Sequence, residues 1–154
     1  MPSPGVDAHV TLRQVTKENL RDVLLLEVAP EQQRFVASNA ISIAQAHFHP
    51  EAAWFRAIYA DETPVGFLML EDRAGASEVF LWRFMIDRRY QKLGYGRRAL
   101  TLVVEHVRSR PGTSALMLSH VPGDGSPALF YQRLGFVHTG ETDPDGELLM
   151  RREL

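Results

Sequence analysis

The sequence predicts an α/β domain of the α+β kind, a mixed sheet with helices on its faces. Two observations lead there. Segments of strand and helix period follow one another in the order β, α, α, β, β, β, α, β, α, β, β, with no internal repeat and no linker to divide them. A glycine-rich turn, Gln91-Lys92-Leu93-Gly94-Tyr95-Gly96, leaves an apolar strand pattern and opens a helical one.

Residues 9–13 alternate as a strand. Leu20, Val23, Leu24 and Val28 recur at helical spacing, with Thr16 as the expected N-cap. A second, less regular helical segment follows around Phe35, Ile41 and Ala46, and Pro50 stops it. Residues 53–60 and 65–70 read as a hairpin joined across Asp61-Glu62-Thr63-Pro64. Residues 79–86 are apolar on both faces apart from Arg83, as a central strand should be. Leu100, Val103, Val104 and Val107 form one stripe of a helix over 97–108. A short strand at 115–119 precedes Ser126-Pro127, an N-cap followed by proline at the first helical position, and that helix closes on Gly135. Residues 136–139 and 147–152 flank Asp143-Pro144-Asp145-Gly146 as a terminal hairpin.

At 154 residues, 45% hydrophobic and 23% charged, the chain has the composition of one globular domain, expected over residues 9–154 behind a disordered lead-in at 1–8. A net charge of −2 argues against nucleic acid as a partner, and no window is apolar enough to span a membrane. The absence of cysteine excludes disulfides, thiolate zinc sites and a cysteine nucleophile, and suits a cytoplasmic location. His47 and His49 lack a third ligand at a supporting spacing, so no metal is expected.

The glycine turn points several backbone N–H groups at one spot, where the helix dipole also favours negative charge. It lacks the Gly-Lys-Ser/Thr ending of a P-loop, and no acidic residue follows about twenty positions on as a dinucleotide fold would want.

Together with the element order, the turn of form Q/R-x-x-G-x-G/A at Gln91 to Gly96 and the downstream Leu129-Phe130-Tyr131-Gln132-Arg133-Leu134-Gly135-Phe136 resemble the GNAT acetyltransferases, which use acetyl-coenzyme A. Arg83-Phe84-Met85-Ile86-Asp87 before Tyr90-Gln91, with Gly140-Glu141 and Gly146-Glu147, is similar to the bacterial spermine/spermidine acetyltransferase branch. The resemblance implies a mostly antiparallel sheet of about seven strands, with strands 4 and 5 splayed and about four helices around it. It implies acetyl transfer to a primary amine, a polyamine first. Another amine (an amino acid, a protein N-terminus or an aminoglycoside) and a non-catalytic acyl-coenzyme A-binding module stand as alternatives. A small-molecule acceptor is the implied partner, and family members are often homodimers.

The resemblance also assigns roles. Main-chain N–H groups of Gln91, Lys92, Leu93, Gly94, Tyr95 and Gly96 would hold the pyrophosphate, with Arg97 adding charge. Lys92 stands where the family often has glycine, a change expected to cost little. Main-chain groups of Phe84, Met85 and Ile86 would bind the pantetheine arm, the Met85 N–H polarising the thioester carbonyl. Tyr131 would be the general acid that protonates the thiolate, with Phe130 and Ser126 beside the cofactor and Ser126 capping the helix. Glu27, Glu31, Asp72 and Glu78 are candidates for deprotonating the amine, Glu27 and Glu31 with Trp82 forming the expected acceptor site. The polyamine enzymes carry acidic residues on the fourth strand where this chain has Trp82-Arg83.

Overall fold

The computed structural model describes residues 3–154; Met1 and Pro2 of the expected lead-in lie outside the described residues. Seven strands form one sheet: β1 (Val10–Arg13), β2 (Ala53–Ala60), β3 (Thr63–Glu71), β4 (Glu78–Ile86), β5 (Ala115–His120), β6 (Val137–Thr142) and β7 (Leu148–Glu153), in the spatial order β1-β2-β3-β4-β5-β7-β6. Every neighbouring pair is antiparallel except β4–β5, which is parallel.

Alternation along the strands builds two cores. Ile58, Ala60, Leu68 and Leu70 face one side, packing with Leu116, Leu118 and the buried stripe Ala99, Leu100, Val103 and Val107 of α3 (Tyr95–Arg108). Tyr131 of α4 (Ala128–Arg133) joins the same cluster. Ala57, Tyr59, Phe67, Met69 and Met85 face the other side, under Val23 of α1 (Leu20–Leu25) and Ala46 of α2 (Asn39–His47). A central sheet with buried side chains on both faces explains why β3 and β4 read as nearly continuous apolar runs.

The expected order of elements holds, with local corrections. The first helix is shorter than its pattern and starts behind Asn19, not Thr16: Asn19 Oδ1 accepts from the Thr16 N–H (2.7 Å) and its Nδ2 donates to the Gln14 carbonyl (3.0 Å). The blurred segment after it is a 3₁₀ turn (Pro30–Phe35) and then α2, whose N-cap Ser38 accepts from the Ile41 N–H (3.2 Å). Pro64 lies inside β3, where the register shift between Ile58 and Tyr59 leaves Val65 unpaired as a bulge. Within the expected lead-in, the Gly5 carbonyl accepts from the buried Tyr95 hydroxyl (2.6 Å) and the Ala8 carbonyl from Arg98 Nη1 (2.7 Å), so two contacts link this stretch to α3.

Candidate active site

Strands β4 and β5 pair only from Glu78·Ala115 to Leu81·Leu118 and then part. The parting coincides with a bulge. Met69 lies opposite Arg83 and Leu70 opposite Leu81, so Trp82 is the extra residue on β4. Beyond it a cleft of about 940 Å³ opens, lined among others by Trp82, Arg83, Phe84, Met85 and Ile86 of β4, Ser119 and His120 of β5, and Ser126, Phe130 and Tyr131 around α4. That volume suits a large small-molecule ligand.

Hydrogen-bond parity decides which β4 groups face the cleft. The Asp87 N–H donates to the Val65 carbonyl (2.8 Å), making Val65·Asp87 a bonded pair. Bonded and non-bonded pairs alternate in an antiparallel ladder, so Phe67·Met85 is the next bonded pair and Met85 spends its main-chain groups on β3. The Met85 N–H, expected to polarise the thioester carbonyl, is therefore turned towards β3 and away from the cleft. The open edge belongs to Phe84 and Ile86. The Ile86 carbonyl on that edge accepts from Gln91 Nε2 (2.9 Å), and the Gln91 amide is held in turn by Gln32 (2.9 and 3.2 Å).

The glycine turn enters α3 through two left-handed residues, Lys92 (φ 65°) and Gly94 (φ 84°), which curl the main chain into a concave run of N–H groups at a helix N-terminus. Lys92 thus occupies a conformation that costs a side-chain-bearing residue about 1–2 kcal/mol, more than expected from sequence. Gln91 and Gly96 line the cleft. A Cβ on Gly96 would sit 3.3 Å from the Phe130 ring and 3.5 Å from the Phe84 ring, two rings stacked 6.1 Å apart. Leu93 and the Tyr95 side chain pack into the core, which leaves their backbone alone for a ligand.

The nearby basic cluster is mostly committed elsewhere. Arg88 pairs with Glu27 (3.3 Å), Arg89 with Asp87 (2.8 Å), and Arg98 donates to the Leu93 carbonyl (3.0 Å). Lys92 and Arg97 are exposed and make no ion pair among the described residues.

Tyr131 lies across the cleft from β4. A Schellman arrangement locks its helix end: the Phe136 N–H donates to the Tyr131 carbonyl (3.1 Å) and the N–H of left-handed Gly135 donates to Gln132 (3.1 Å). Its ring is wedged between Phe130 (5.3 Å) and Phe136 (5.7 Å). Burial pushes the Tyr131 phenol well above the usual tyrosine range, so its proton is retained. Ser126 precedes the helix by one residue more than expected, and its Oγ meets the Ala128 N–H at 3.4 Å.

None of the four acids considered for deprotonating the amine lines the cleft. Glu27 is paired with Arg88, Asp72 with Arg110 and Glu78 with Arg151, while Glu31 is exposed on the 3₁₀ turn. The carboxylates that do line it are Glu71 of β3 and Asp143, Asp145 and Glu147 of the β6–β7 turn, none of them a site candidate in the sequence. The last three lie on the terminal hairpin, not on the fourth strand. Of the two cleft arginines, Arg34 reaches out to the Asp124 carbonyl (2.8 Å). Arg83 donates to Gln45 Oε1 (2.9 Å) and the Trp82 carbonyl (2.9 Å), and burial lowers its proton affinity against the opposing charge of Glu147. Its buried Nε has no partner among the described residues. Trp82 meets His49 edge-on at 5.8 Å. No cluster of three or more histidine or carboxylate groups placed to hold a metal occurs among the described residues.

Comparison with known proteins agrees with this geometry. The Acetyltransferase (GNAT) family matches residues 15–136. The spermine/spermidine N(1)-acetyltransferase of Bacillus subtilis strain 168 is 29% identical over 155 residues, covering 94% of this chain and 99% of that protein. The structure of a PaiA N-acetyltransferase from Thermoplasma acidophilum in complex with coenzyme A matches with a TM-score of 0.67 at 18% identity, over 95% of this chain and 99% of that one. A domain from Methanocaldococcus jannaschii reaches a TM-score of 0.77 at 15% identity, over 96% and 100%. At these identities the two structures speak for the fold.

Proposed function

Because the chain belongs to the GNAT family of acetyltransferases, we propose that it transfers the acetyl group of acetyl-coenzyme A directly to a primary amine of a polyamine, spermine or spermidine. The observation that carries the reading is a single cleft lined by an unpaired β4 edge, by a phenol from α4 and by the carboxylates of the last hairpin.

The concave N–H run from Gln91 to Gly96 fits a diphosphate, and exposed Lys92 and Arg97 add positive charge beside it. The open N–H groups of Phe84 and Ile86 fit the amides of a pantetheine arm laid along β4 as an extra strand. A fixed N–H on that edge also stabilises negative charge as it develops on the thioester oxygen, without reorganising during the reaction. The amine attacks the thioester carbon, the C–S bond breaks, and the Tyr131 hydroxyl donates its proton to the departing thiolate. Burial keeps that proton in place until the thiolate forms, and the same burial raises the proton affinity of the sulfur.

The acceptor class rests on charge. Glu71, Asp143, Asp145 and Glu147 outnumber the two arginines in the cleft, and a polycation is drawn to such a wall. Trp82 supplies an apolar and cation–π surface for the chain between ammonium groups. A second reading, an amine that also bears a carboxylate, has one observation in its favour: the unpartnered Nε of Arg83. Coenzyme A release measured over spermine, spermidine, amino acids, a peptide N-terminus and an aminoglycoside decides between them. Spermine or spermidine should give the highest kcat/KM; preference for an amino acid would shift the assignment to the Arg83 reading, and no turnover with any amine would refute acetyl transfer.

A further inference from the structure

The two faces of the sheet meet at the gap between β4 and β5, and they carry different chemistry. Tyr131 packs with Leu116 and Leu118 of β5 and with Phe84 and Ile86 of β4, on the side of α3. Side chains alternate across a strand, so Arg83 and Ser119 point to the opposite side, that of α2. There Arg83 Nη2 donates to Gln45 Oε1 of α2 (2.9 Å). Glu147, the residue before β7, reaches the same side. Its Oε1 accepts from Ser119 Oγ (3.1 Å), and its charge acts on Arg83 across the cleft that both residues line. No ion pair joins the two, and Glu147 Oε2 accepts no hydrogen bond, among the described residues. The other titratable groups here are engaged or solvated. Glu71 pairs with Arg73 (2.8 Å), and Asp143 Oδ1 accepts from the N–H groups of Asp145 and Glu147 (2.9 Å each). Asp145 is exposed. His120 has its Nδ1 at the Val121 carbonyl (3.3 Å) and its Nε2 at Nε2 of His138 (2.8 Å).

We infer that Glu147 is the general base of the acetyl transfer, taking a proton from the acceptor nitrogen as that nitrogen bonds to the thioester carbon. The inference rests on the acetyl-transfer reading above. A protonated amine has no lone pair, so one proton passes to water before attack. The new N–C bond then places positive charge on the nitrogen, which makes its remaining protons far more acidic than those of the parent ammonium. A carboxylate suffices to take one of them, and Oε2 receives it. The C–S bond breaks, and the thiolate takes the proton of Tyr131. Glu147 then returns its proton to water, and Tyr131 regains one from water. Each turnover converts an ammonium and a thioester into an amide, a thiol and one released proton. Base and acid thus belong to opposite faces of the sheet, as nucleophile and leaving group lie in different directions from the reacting carbon. Ser119 acts through Glu147 as a positioning residue, holding one oxygen so that the other is aimed.

The test uses the full chain and the variants Glu147→Gln and Glu147→Asp, with spermine at saturation so that a weaker hold on the acceptor does not enter the rate. Coenzyme A release gives kcat, and titration gives acetyl-coenzyme A affinity. Loss of a positioned base lowers turnover on the order of 100-fold. That loss is expected for Glu147→Gln, which keeps the shape and the oxygen that Ser119 holds. Glu147→Asp retains a carboxylate one methylene further back and should recover roughly tenfold of the loss. Ser119→Ala should lower kcat roughly three- to tenfold, the worth of one hydrogen bond, and should slow Glu147→Gln no further. Cofactor affinity should be the same in parent and variants. A kcat of Glu147→Gln within about threefold of the parent, or Glu147→Asp no faster than Glu147→Gln, would overturn the base. An unaltered protein inactive towards every amine would instead remove the acetyl-transfer premise.

Discussion

Tyr131 is a buried ring packed between Phe130 and Phe136 that also lines the cleft. Replacing it with phenylalanine keeps the ring packing and removes only the proton donor. Turnover of Tyr131→Phe should fall well over tenfold while acetyl-coenzyme A binding, measured by calorimetry, stays within a factor of two. The raised phenol pKa sets a sign for pH: the reactive form is the protonated one, and it persists beyond the ordinary value near ~10. Loss of this proton should therefore impose no fall in kcat below about pH 10. Equal activity of Tyr131→Phe and the parent at any pH would remove the acid. The place of Tyr131 on a short helix ending at Gly135 was legible in sequence because its motif is local. The side to which the Met85 N–H turns and the contact of His120 with His138 were not, for the opposite reason. Which main-chain edge a β4 residue presents depends on its pairing with β3, and the contact between His120 and His138 depends on β7 lying between their strands.

Among the elements, β4 is the one whose shape makes the site, and β3 holds that shape. Gly66 explains how. A Cβ there would stand 2.4 Å from the Met85 carbonyl oxygen and 2.9 Å from Ile86 Cδ1, so only glycine lets β3 and β4 close on each other beside the open edge. The first contact is backbone, which cannot swing aside as a side-chain tip would. Gly66→Ala should cost about 2–3 kcal/mol and lower Tm by roughly 5–10 °C. It should also weaken acetyl-coenzyme A binding by tilting Phe84 and Ile86. A thermal melt that superposes on the parent would show that the ladder accommodates the methyl group. The strands themselves were plain in the sequence, because Ile58, Ala60, Leu68 and Leu70 alternate with Ala57, Tyr59, Phe67 and Met69 against two separate cores. The bulge at Trp82 was not, since an extra residue in a fully apolar strand leaves its hydrophobic pattern intact.

At the scale of the whole molecule, a net charge of −2 conceals a polarised surface. Exposed Lys92 and Arg97 stand at the start of α3, while Asp143, Asp145 and Glu147 line the cleft from the last hairpin. An anionic donor and a cationic acceptor would then enter one site without competing for its ends. Asp145→Asn and Glu147→Gln preserve shape, and Glu147→Gln retains the oxygen that accepts from Ser119 (3.1 Å). Each exposed pair with an ammonium is worth about 0.2–1 kcal/mol, so the double variant should raise KM for spermine roughly two- to thirtyfold while acetyl-coenzyme A affinity is unchanged. Salt supplies the control. The screening length is about 10 Å at 0.1 M, so KM of the parent should climb with ionic strength and that of the double variant should climb less. Parallel salt dependences in the two proteins would mean that the hairpin carboxylates do not hold the acceptor, and the polycation assignment would fall with them.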